Sequence, residues 1–426
     1  MRRLAILILV ITFSLLFPIF VGAHAYLESS VPVQETELDT PPEEVLVRFT
    51  EPINTTLSQL TLRDENGQTI PTEQFSESNR ELILKLPDLD DGIYRVYWQV
   101  LALDTHVTDG SFRFSIGVEL PTQIPSETIS IDEYISGDDD HEHSFSVGVF
   151  LRISEVMLAV IVASMFFFIN FILGDRAKLI LLERSIYLFA ALIFIITGFS
   201  QVLERSLQLT NQPLNDTIVA ILLSTNLGIV SMAQPLLFLL LFLVSFYRNK
   251  GRLLMASLVF FALFFGFAWT GHGAESYLNL FNHTLHMMAI SIWAGGIIGF
   301  SIYSFFIKRD LTALKDFHEK LFKFSQIALW SIIITVVSGA LLSISYLNEL
   351  NDLYNSSYGI TLLMKLISFS PVLIIAACHR YLWLPKLKNG DESIVNKLLW
   401  GLRIELLLII VIVILAGVLS TTTPPV

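Results

Sequence analysis

The chain has 426 residues, of which 53% are hydrophobic, a composition too apolar for an ordinary soluble protein. The formal net charge of −12 argues against nucleic acid as a partner. The single cysteine, Cys378, excludes an intrachain disulfide framework and a cysteine-rich metal site, so a bound metal would need His, Asp, Glu or Met ligands.

Residues 1–23 have the layout of a secretory signal peptide, in which a basic pair precedes an apolar run. Val21 and Ala23 occupy the positions that a signal peptidase reads. Cleavage after Ala23 would make His24 the new N-terminus, whereas cleavage after Ala25 would remove it. The signal by itself favours neither cut.

An N-terminal histidine has unusual ligand chemistry, because its α-amine and its imidazole Nδ1 can close a chelate ring around one metal ion. Nitrogen donors of this kind suit Cu(II) in tetragonal geometry. His24 is therefore a candidate copper ligand if the chain is cut after Ala23.

Residues 24–117 alternate polar and apolar positions in short runs that are separated by turn signals. The clearest runs are EEVLVRFT, LSQLTLRD, ELILKL, IYRVYWQV and GSFRFSIGV. Five or more short strands in a segment of this length predict an all-β, Ig-like sandwich. Residues 118–147 are acidic and show neither the alternation of a strand nor the spacing of a helix, so they are predicted to form an exposed linker.

Near the end of the predicted sandwich, Asp104 and His106 lie two residues apart, so on a strand they would point to the same face. A D-x-H pair alone is a weak signal, and a solvated surface pair is the simpler interpretation. Together with an N-terminal His24 it completes a donor set of one amine, two imidazoles and one carboxylate.

Three motifs, HAYLESSVPVQ, VRFTEPI and DTHVTDGSFRFSIG, resemble the CopC family of copper-binding sandwiches in order and spacing. The resemblance implies that His24, Asp104 and His106 bind Cu(II). It also favours cleavage after Ala23, because a cut after Ala25 would delete a ligand.

Two further expectations follow for the sandwich. Glu51 is either a partner that orients the N-terminus or a plain surface carboxylate. Some relatives hold Cu(I) through a methionine-rich segment, but residues 24–147 contain no methionine. We therefore expect one Cu(II) site and no Cu(I) site in the sandwich.

From residue 148 to residue 421, apolar stretches recur that are long enough to cross a bilayer, which takes roughly 20 residues each. Eight helices of an all-α membrane bundle are predicted near 148–173, 185–207, 228–247, 252–270, 281–307, 324–347, 358–384 and 400–421. Basic residues concentrate in alternate connections, which would be cytoplasmic: 176–184, 248–252, 308–323 and 386–397. The sandwich and the C-terminus are then expected outside a bacterial plasma membrane.

The outer ends of the fourth and fifth predicted spans carry three histidines. His283, His286 and Met287 lie at i, i+3 and i+4, so one helical face presents them, and His272 lies on the same rim. Each histidine alone is more simply explained as an interfacial residue bonded to loop backbone. Because they are grouped with a methionine, in a chain that also carries a predicted copper-binding domain, they indicate a site where metal enters the bundle.

This region resembles the CopD family, an eight-helix copper transport domain, over residues 148–421. The resemblance rests on the G-H-x(10)-H-x-x-H spacing, WAGG, FSQIALWSIIITVVSG, SYGITLLMKL and RIELLLIIVIVILAG. The two domains are joined in bacterial copper transport proteins of the YcnJ type. Some of those proteins carry another extracellular domain after the last span, and that domain is not expected in this sequence, which ends at Val426. The implied partners are copper ions, membrane lipid and an extracellular copper chaperone.

Ionisable residues inside a bilayer need partners, since each isolated charge costs on the order of 2.5–3.5 kcal/mol. Glu155 and Lys365 lie at similar predicted depth below the outer surface, and we expect them to form an ion pair. Glu405, near the level of His379 and Arg380, makes a second candidate cluster on the inner side.

The leading functional hypothesis is a transporter, without enzymatic activity, that captures Cu(II) outside and passes copper inward through the bundle. No P-loop motif is present, so the driving force would be the gradient of the ion or the membrane potential. The direction comes from the family resemblance, and copper resistance by sequestration or export is the rival hypothesis.

Two other functional classes fit the sequence less well. A copper monooxygenase with a histidine brace needs an open coordination position, which Asp104 would fill. A membrane b-type cytochrome needs histidines that face one another across the bundle at mid-depth, whereas His272, His283 and His286 cluster on the rim.

Overall fold

The computed structural model describes residues 25–102, 107–121, 147–174, 176–209, 213–247, 251–270, 276–304, 311–347, 349–388, 393–419, 422 and 425. Within these residues, the strands all lie before residue 117 and the helices all lie after residue 146. The described chain is therefore an all-β segment followed by an all-α segment, as predicted.

The strands form two sheets. One sheet has the order β1 (Leu27–Val31), β3 (Glu44–Phe49), β7 (Glu81–Lys85) and β6 (Glu73–Phe75). The other has the order β2 (Thr36–Leu38), β9 (Val107–Ile116), β8 (Gly92–Leu101), β4 (Gln59–Asp64) and β5 (Thr69–Ile70). Strands β3, β4, β7, β8 and β9 are the five runs found by their alternation, so the predicted sandwich is confirmed.

The longest ladder joins β8 and β9, which pair without a break from Gly92↔Ile116 to Leu101↔Val107. Trp98 on β8 is buried and packs edge-on against Phe49 of the other sheet, with ring centroids 5.4 Å apart. A Cβ at Gly110 would lie 2.5 Å from the Trp98 indole, so only glycine fits opposite this ring. The hairpin is thus held firmly up to the pair that borders residues 103–106.

The helices are α1 (Val147–Phe167), α2 (Arg176–Gln208), α3 (Leu214–Ser224), α4 (Asn226–Val244), α5 (Gly251–Trp269), α6 (Tyr277–Tyr303), α7 (Leu311–Tyr346), α8 (Asp352–Asn355), α9 (Ser357–Ala377), α10 (Leu384–Lys388) and α11 (Ser393–Leu419). Among the described residues, two π-helical segments continue helices without a break, namely Phe168–Leu173 after α1 and Cys378–Trp383 after α9. Neither π-helical segment was predicted, because a wider helical turn leaves no periodic signal in a short apolar run.

Eight of the described helices are long and apolar enough to cross a membrane, which confirms the predicted number of spans. They cover Phe150–Leu173, Leu179–Gln208, Asn226–Val244, Gly251–Trp269, Tyr277–Tyr303, Ala313–Tyr346, Ser357–Leu387 and Ile394–Leu419. The predicted starts of the second, sixth and eighth spans were late, because turns that contain polar residues extend these helices beyond the apolar stretch. In α7, for example, the extension contains the Lys320–Asp316 ion pair at i, i+4, with Nζ 2.5 Å from Oδ2.

Helix α6 lies among other helices of the bundle and packs against α1, α5, α7 and α11. Glycines allow this close approach: a Cβ at Gly295 would lie 2.7 Å from the Ser164 backbone oxygen, and a Cβ at Gly296 would overlap the Phe324 ring. The WAGG motif is therefore a packing motif, and it places α6 in contact with α1 and α7.

Residues 202–229 belong to the same compact unit as the sandwich, and the remaining helices form a second unit. A small apolar cluster joins this stretch to the sandwich and consists of Leu57, Leu101, Val202, Leu209 and Ile221. The Gln99 side-chain amide also donates to the Gln208 carbonyl oxygen at 3.1 Å. These contacts were not predicted, because the sequence gives no pairing signal between a strand end and a distant helix end.

Candidate functional site

The three predicted Cu(II) ligands, His24, Asp104 and His106, lie outside the described residues. Their described neighbours nevertheless meet. Ala25, which follows His24, is fully buried in the sandwich core. Its carbonyl oxygen accepts a 2.9 Å hydrogen bond from the Oγ1 of Thr108, two residues after His106. The stretches that border the two histidines therefore lie side by side.

The same end of the sandwich holds the residue after Ala25 and both borders of the 103–106 connection. The Tyr26 amide donates to Thr50 Oγ1 at 3.0 Å, and the Thr50 amide donates to the Tyr26 carbonyl oxygen at 2.9 Å. Ile53 forms a β-bridge with Ala102, directly before the connection. Glu51 is partly buried between these two attachments. The described backbone thus brings Tyr26, the Glu51 region and the two borders of the 103–106 connection to one end of the sandwich.

In the bundle, α6 begins where the Ser276 hydroxyl caps it by accepting from the Leu278 amide at 3.3 Å. His286 is buried, with 7% of its surface exposed, and its Nδ1 lies 2.8 Å from Ser338 Oγ on α7. Gly339 leaves room for the imidazole, since a Cβ there would lie 3.1 Å from the ring. Asn282 adds a second link to α7 by donating to the Ser338 carbonyl oxygen at 3.0 Å.

The hydrogen bonds assign the tautomer of His286. The Ser338 hydroxyl donates its single hydrogen within its own helix, to the Ile334 carbonyl oxygen at 2.6 Å. It is then best placed to accept from Nδ1–H of His286, and in that tautomer the ring lone pair lies on Nε2. A histidine oriented in this way through its other nitrogen is the usual arrangement of a metal ligand.

The other predicted rim residues differ in their surroundings. His283 is partly buried and lies close enough to His286 to interact with it electrostatically, while Met287 packs in the apolar core of the bundle. His272 lies outside the described residues. Within the described ranges, no three His, Cys, Asp or Glu side chains converge into a cluster that could hold a metal ion.

Lys365 is an unpredicted neighbour of this site, since its ammonium group interacts electrostatically with His286. Lys365, Ser338 and Gly339 all occur in the motifs SYGITLLMKL and FSQIALWSIIITVVSG that carry the family resemblance. Their presence in those motifs is the only sequence signal that could have pointed to them, because spacing along one helix does not show which helix lies opposite.

The predicted ion pair between Glu155 and Lys365 is wrong. Glu155, 2% exposed, accepts a 2.6 Å hydrogen bond from Thr197 Oγ1 on α2 and has Arg152 one turn away on its own helix. Arg152 in turn donates to the Phe267 carbonyl oxygen at 2.8 Å. Equal depth in the membrane did not imply contact, because α1 packs against α6 and α11.

The predicted cluster of Glu405 with His379 and Arg380 is confirmed for His379 and Glu405 only. His379 Nδ1 lies 3.3 Å from Glu405 Oε2. Arg380 instead donates from Nη1 to the Ser325 carbonyl oxygen at 2.6 Å and from Nη2 to Gln326 Oε1 at 3.1 Å.

A second buried ion pair was not predicted. Arg252 belongs to a predicted cytoplasmic connection, but it is 4% exposed and its Nη1 lies 3.3 Å from Glu183 Oε1. The same carboxylate oxygen accepts from the Tyr187 hydroxyl at 2.9 Å and from the Asn170 amide at 3.4 Å. The basic residue counted towards orientation is therefore part of a buried network.

Comparisons with known proteins agree with both halves of the chain. Family models match for the CopC domain over residues 27–117, for the N-terminal domain of copper resistance protein D-like proteins over residues 145–277, and for copper resistance protein D over residues 319–419. Copper transport protein CutJ of Bacillus subtilis is 25% identical over 438 residues, which cover 96% of this chain and 77% of CutJ.

Shorter matches are confined to the sandwich. Protein YobA of Escherichia coli K12 is 31% identical over 27% of this chain and 95% of YobA. Among solved structures, CopC from Methylosinus trichosporium OB3b is 25% identical over 23% of this chain and 100% of CopC, with a TM-score of 0.21. PcoC from Escherichia coli, a methionine-rich copper resistance protein, is 25% identical over 22% of this chain and 99% of PcoC, with a TM-score of 0.20.

The family models appear in the order that the motifs predicted, a sandwich first and a membrane domain second. The similarity to CutJ runs through nearly the whole length of the chain. The chain therefore joins a CopC domain and a CopD domain in one polypeptide, and it is homologous to CutJ over nearly its whole length.

Proposed function

We propose that this protein imports copper: the sandwich captures Cu(II) outside the plasma membrane, and the bundle passes copper inward. The observation that carries the proposal is the joining of a CopC domain to a membrane bundle in one chain. A binding domain that is tethered to a membrane path supplies its cargo at high local concentration. We expect no enzymatic activity.

Capture depends on an N-terminal His24, and the surroundings of Ala25 support that start. A cut after Ala25 would remove a fully buried core residue. It would also leave the buried Thr108 hydroxyl without its carbonyl acceptor, at a cost of about 1–3 kcal/mol. Cleavage after Ala23 keeps both, and it leaves the amine and the imidazole of His24 for Cu(II), with Asp104 and His106 as the remaining ligands.

Passage begins at the outer end of the bundle, with His283 and His286 as the first ligands and His272 and Met287 as further candidates. The free Nε2 of His286 supports this role, since Ser338 fixes Nδ1 as the donor. The ammonium group of Lys365 opposes long residence of a cation beside the ring. A site that binds weakly and releases its ion is suited to transit.

Resistance by export or sequestration is the second candidate, and the description of two matching family models as copper resistance protein D favours it. The geometry at His286 serves either direction. The direction of copper transport is therefore tested by an experiment in cells. Under copper limitation, cells that lack the protein should hold less copper than cells that have it if the protein imports. An unchanged or higher copper content would contradict import and support the rival function.

The start of the mature chain is tested separately by mass spectrometry of the exported protein. His24 is the expected first residue. Tyr26 as the first residue would contradict the proposed capture site, because neither the chelating amine nor its imidazole would remain.

A further inference from the structure

The pair formed by His379 and Glu405 has no role in the function proposed above. His379 lies in the π-helical segment that follows α9, and Glu405 lies in α11. The side chains are 12% and 2% exposed, and Nδ1 lies 3.3 Å from Oε2. A titratable acid and a titratable base are thus in contact inside the helical bundle.

The local backbone is shaped around this imidazole. A π-helical turn redirects side chains relative to an α-helix, and such turns are frequent at functional sites. At Gly401 on α11, a Cβ would lie 2.2 Å from His379 Nε2 and 2.8 Å from the Trp383 ring, so any larger residue would push the imidazole away. The Trp383 ring closes the other side, with its centroid 4.9 Å from that of His379.

Charged groups on the same and neighbouring helices are directed elsewhere. Arg380 is bonded to Ser325 and Gln326 of α7. Arg403 lies over the Trp400 ring at 5.5 Å, and Lys386 and Lys397 are exposed.

The helices α1, α6 and α9 pack against α11, and most of their titratable groups lie towards the end of the bundle that holds His286: Arg152, Glu155, His283, His286 and Lys365. Three of these have partners there, namely Phe267 for Arg152, Thr197 for Glu155 and Ser338 for His286. Tyr303 at the other end of α6 donates to Asp316. Near the inner end of α7, Lys320 pairs with Asp316, and Lys323 donates to the Phe171 carbonyl oxygen at 2.7 Å. Among the described residues, no third charge contacts the His379–Glu405 pair.

The charge of the pair therefore depends on protons alone. With one proton shared between the two side chains the pair is neutral overall, with two it carries +1, and with none it carries −1. Burial strongly favours the neutral form when no other ion is near. A cation that crosses the bundle reverses this preference, because a fixed negative charge stabilises it in a medium of low dielectric constant.

We propose that His379 and Glu405 form a proton-binding site that holds one proton when the bundle is empty and releases it when copper passes, leaving a single negative countercharge. The inference rests on the proposed passage of copper through the bundle. Only the N–H or O–H bond to that proton breaks, the proton goes to water, and nothing is oxidised or reduced. Copper passage is thereby linked to release of one proton.

The first test needs no copper. Full-length protein in lipid vesicles is examined by infrared difference spectroscopy across a pH titration. The pair should give either the C=O stretch of a protonated Glu405 carboxyl group or a ring band of a protonated His379 imidazole, and that band should be lost or shifted in both Glu405→Gln and His379→Asn. If neither variant changes a carboxylic acid band or an imidazolium band, no proton resides on this pair and the proposal is wrong.

The second test measures uptake of copper, supplied as Cu(II) sulfate with and without ascorbate, into the same vesicles at matched inner and outer pH. The retained proton suppresses wild-type flux at acid pH, so flux should rise about tenfold per pH unit until the proton is lost, as expected for one proton. Glu405→Gln should be slow and independent of pH, and Glu405→Asp should restore the pH dependence.

Glu183→Gln is the matched control, because it neutralises a buried glutamate whose partner, Arg252, is permanently charged. It should lower the yield of folded protein but leave the pH profile of the surviving protein unchanged. The same pH profile in Glu405→Gln as in the wild type would overturn the proposal. If the band depends on Glu405 but the wild-type protein transports no copper, the proton site exists without the proposed link to copper passage. The proposed transport function would then be contradicted as well.

Discussion

The sandwich end around Ala25 and the end of the bundle around His286 both carry predicted copper ligands, yet they are built differently. At the sandwich end, the described hydrogen bonds join backbone to backbone or backbone to threonine, so they fix the segments that border the predicted ligands. The predicted ligands there include a negative charge, the Asp104 carboxylate. At the bundle end, a ligand nitrogen is itself hydrogen-bonded and an ammonium group lies nearby. The first arrangement favours keeping a cation, and the second favours letting it move on.

The largest expected effect is at the sandwich. His106→Ala in the full chain should weaken Cu(II) binding by more than about 100-fold, since even loss of a partner outside the ligand shell weakens metal binding by roughly 10–100-fold. Electron paramagnetic resonance with a competing chelator measures the loss of the nitrogen-rich tetragonal signal. His318→Ala, whose ring stacks with Phe322 on α7, is the control and should bind as the wild type does. Unaltered Cu(II) binding in His106→Ala would contradict the conclusion that the sandwich end is the site that keeps the cation.

The next effect separates capture from passage in cells. His24→Ala and His283→Ala should both lower copper uptake severalfold at limiting copper, because one removes capture and the other removes transfer into the bundle. Raising external copper should restore uptake in His24→Ala but not in His283→Ala. Equal recovery of both variants would show that the rim histidines are structural.

The bundle is expected to retain copper more strongly when the positive charge of Lys365 is removed. In a His106→Ala background, Lys365→Met should increase retention of copper by about tenfold, which corresponds to the loss of ~1.4 kcal/mol of charge repulsion. Lys397→Met, which removes an exposed lysine, is the control and should change nothing. Retention at or below the background level would contradict a transit role for Lys365.

The smallest effect concerns the tautomer of His286. Ser338→Ala removes the acceptor for Nδ1–H and should slow copper uptake by about two- to tenfold, as expected for one hydrogen bond of ~0.5–1.5 kcal/mol. Ser338→Thr should restore uptake, and Ser343→Ala on the same helix should have no effect. Cu(II) binding by the sandwich is measured in parallel and should be unchanged in all three variants.

Much of the architecture could be predicted from the sequence because it follows from one-dimensional patterns. Alternation identified β3, β4, β7, β8 and β9, and apolar length identified the eight spans. The contact of His379 with Glu405 was also predicted, because both residues lie at the same level of adjacent helices.

Side-chain partners across helices could not be obtained in this way. Glu155 and Lys365 have matching depths but different neighbours, because packing around α6 decides which helices meet. Arg252 was assigned to a connection by its position at a span end, yet Glu183 on another helix accounts for its burial. Membrane depth can be counted along the chain, but rotation about a helix axis and helix adjacency depend on packing.

The burial of Ala25 also bears on when and where the sandwich becomes able to bind copper. An uncut leader would continue the chain directly from a residue enclosed in the core, and His24 would then have a peptide bond in place of its free amine. With the proposed cut, the chelating amine exists only after export. The precursor would therefore lack part of its ligand set while it is still inside the cell, and the compartment that supplies the copper would also be the one in which the binding site is completed.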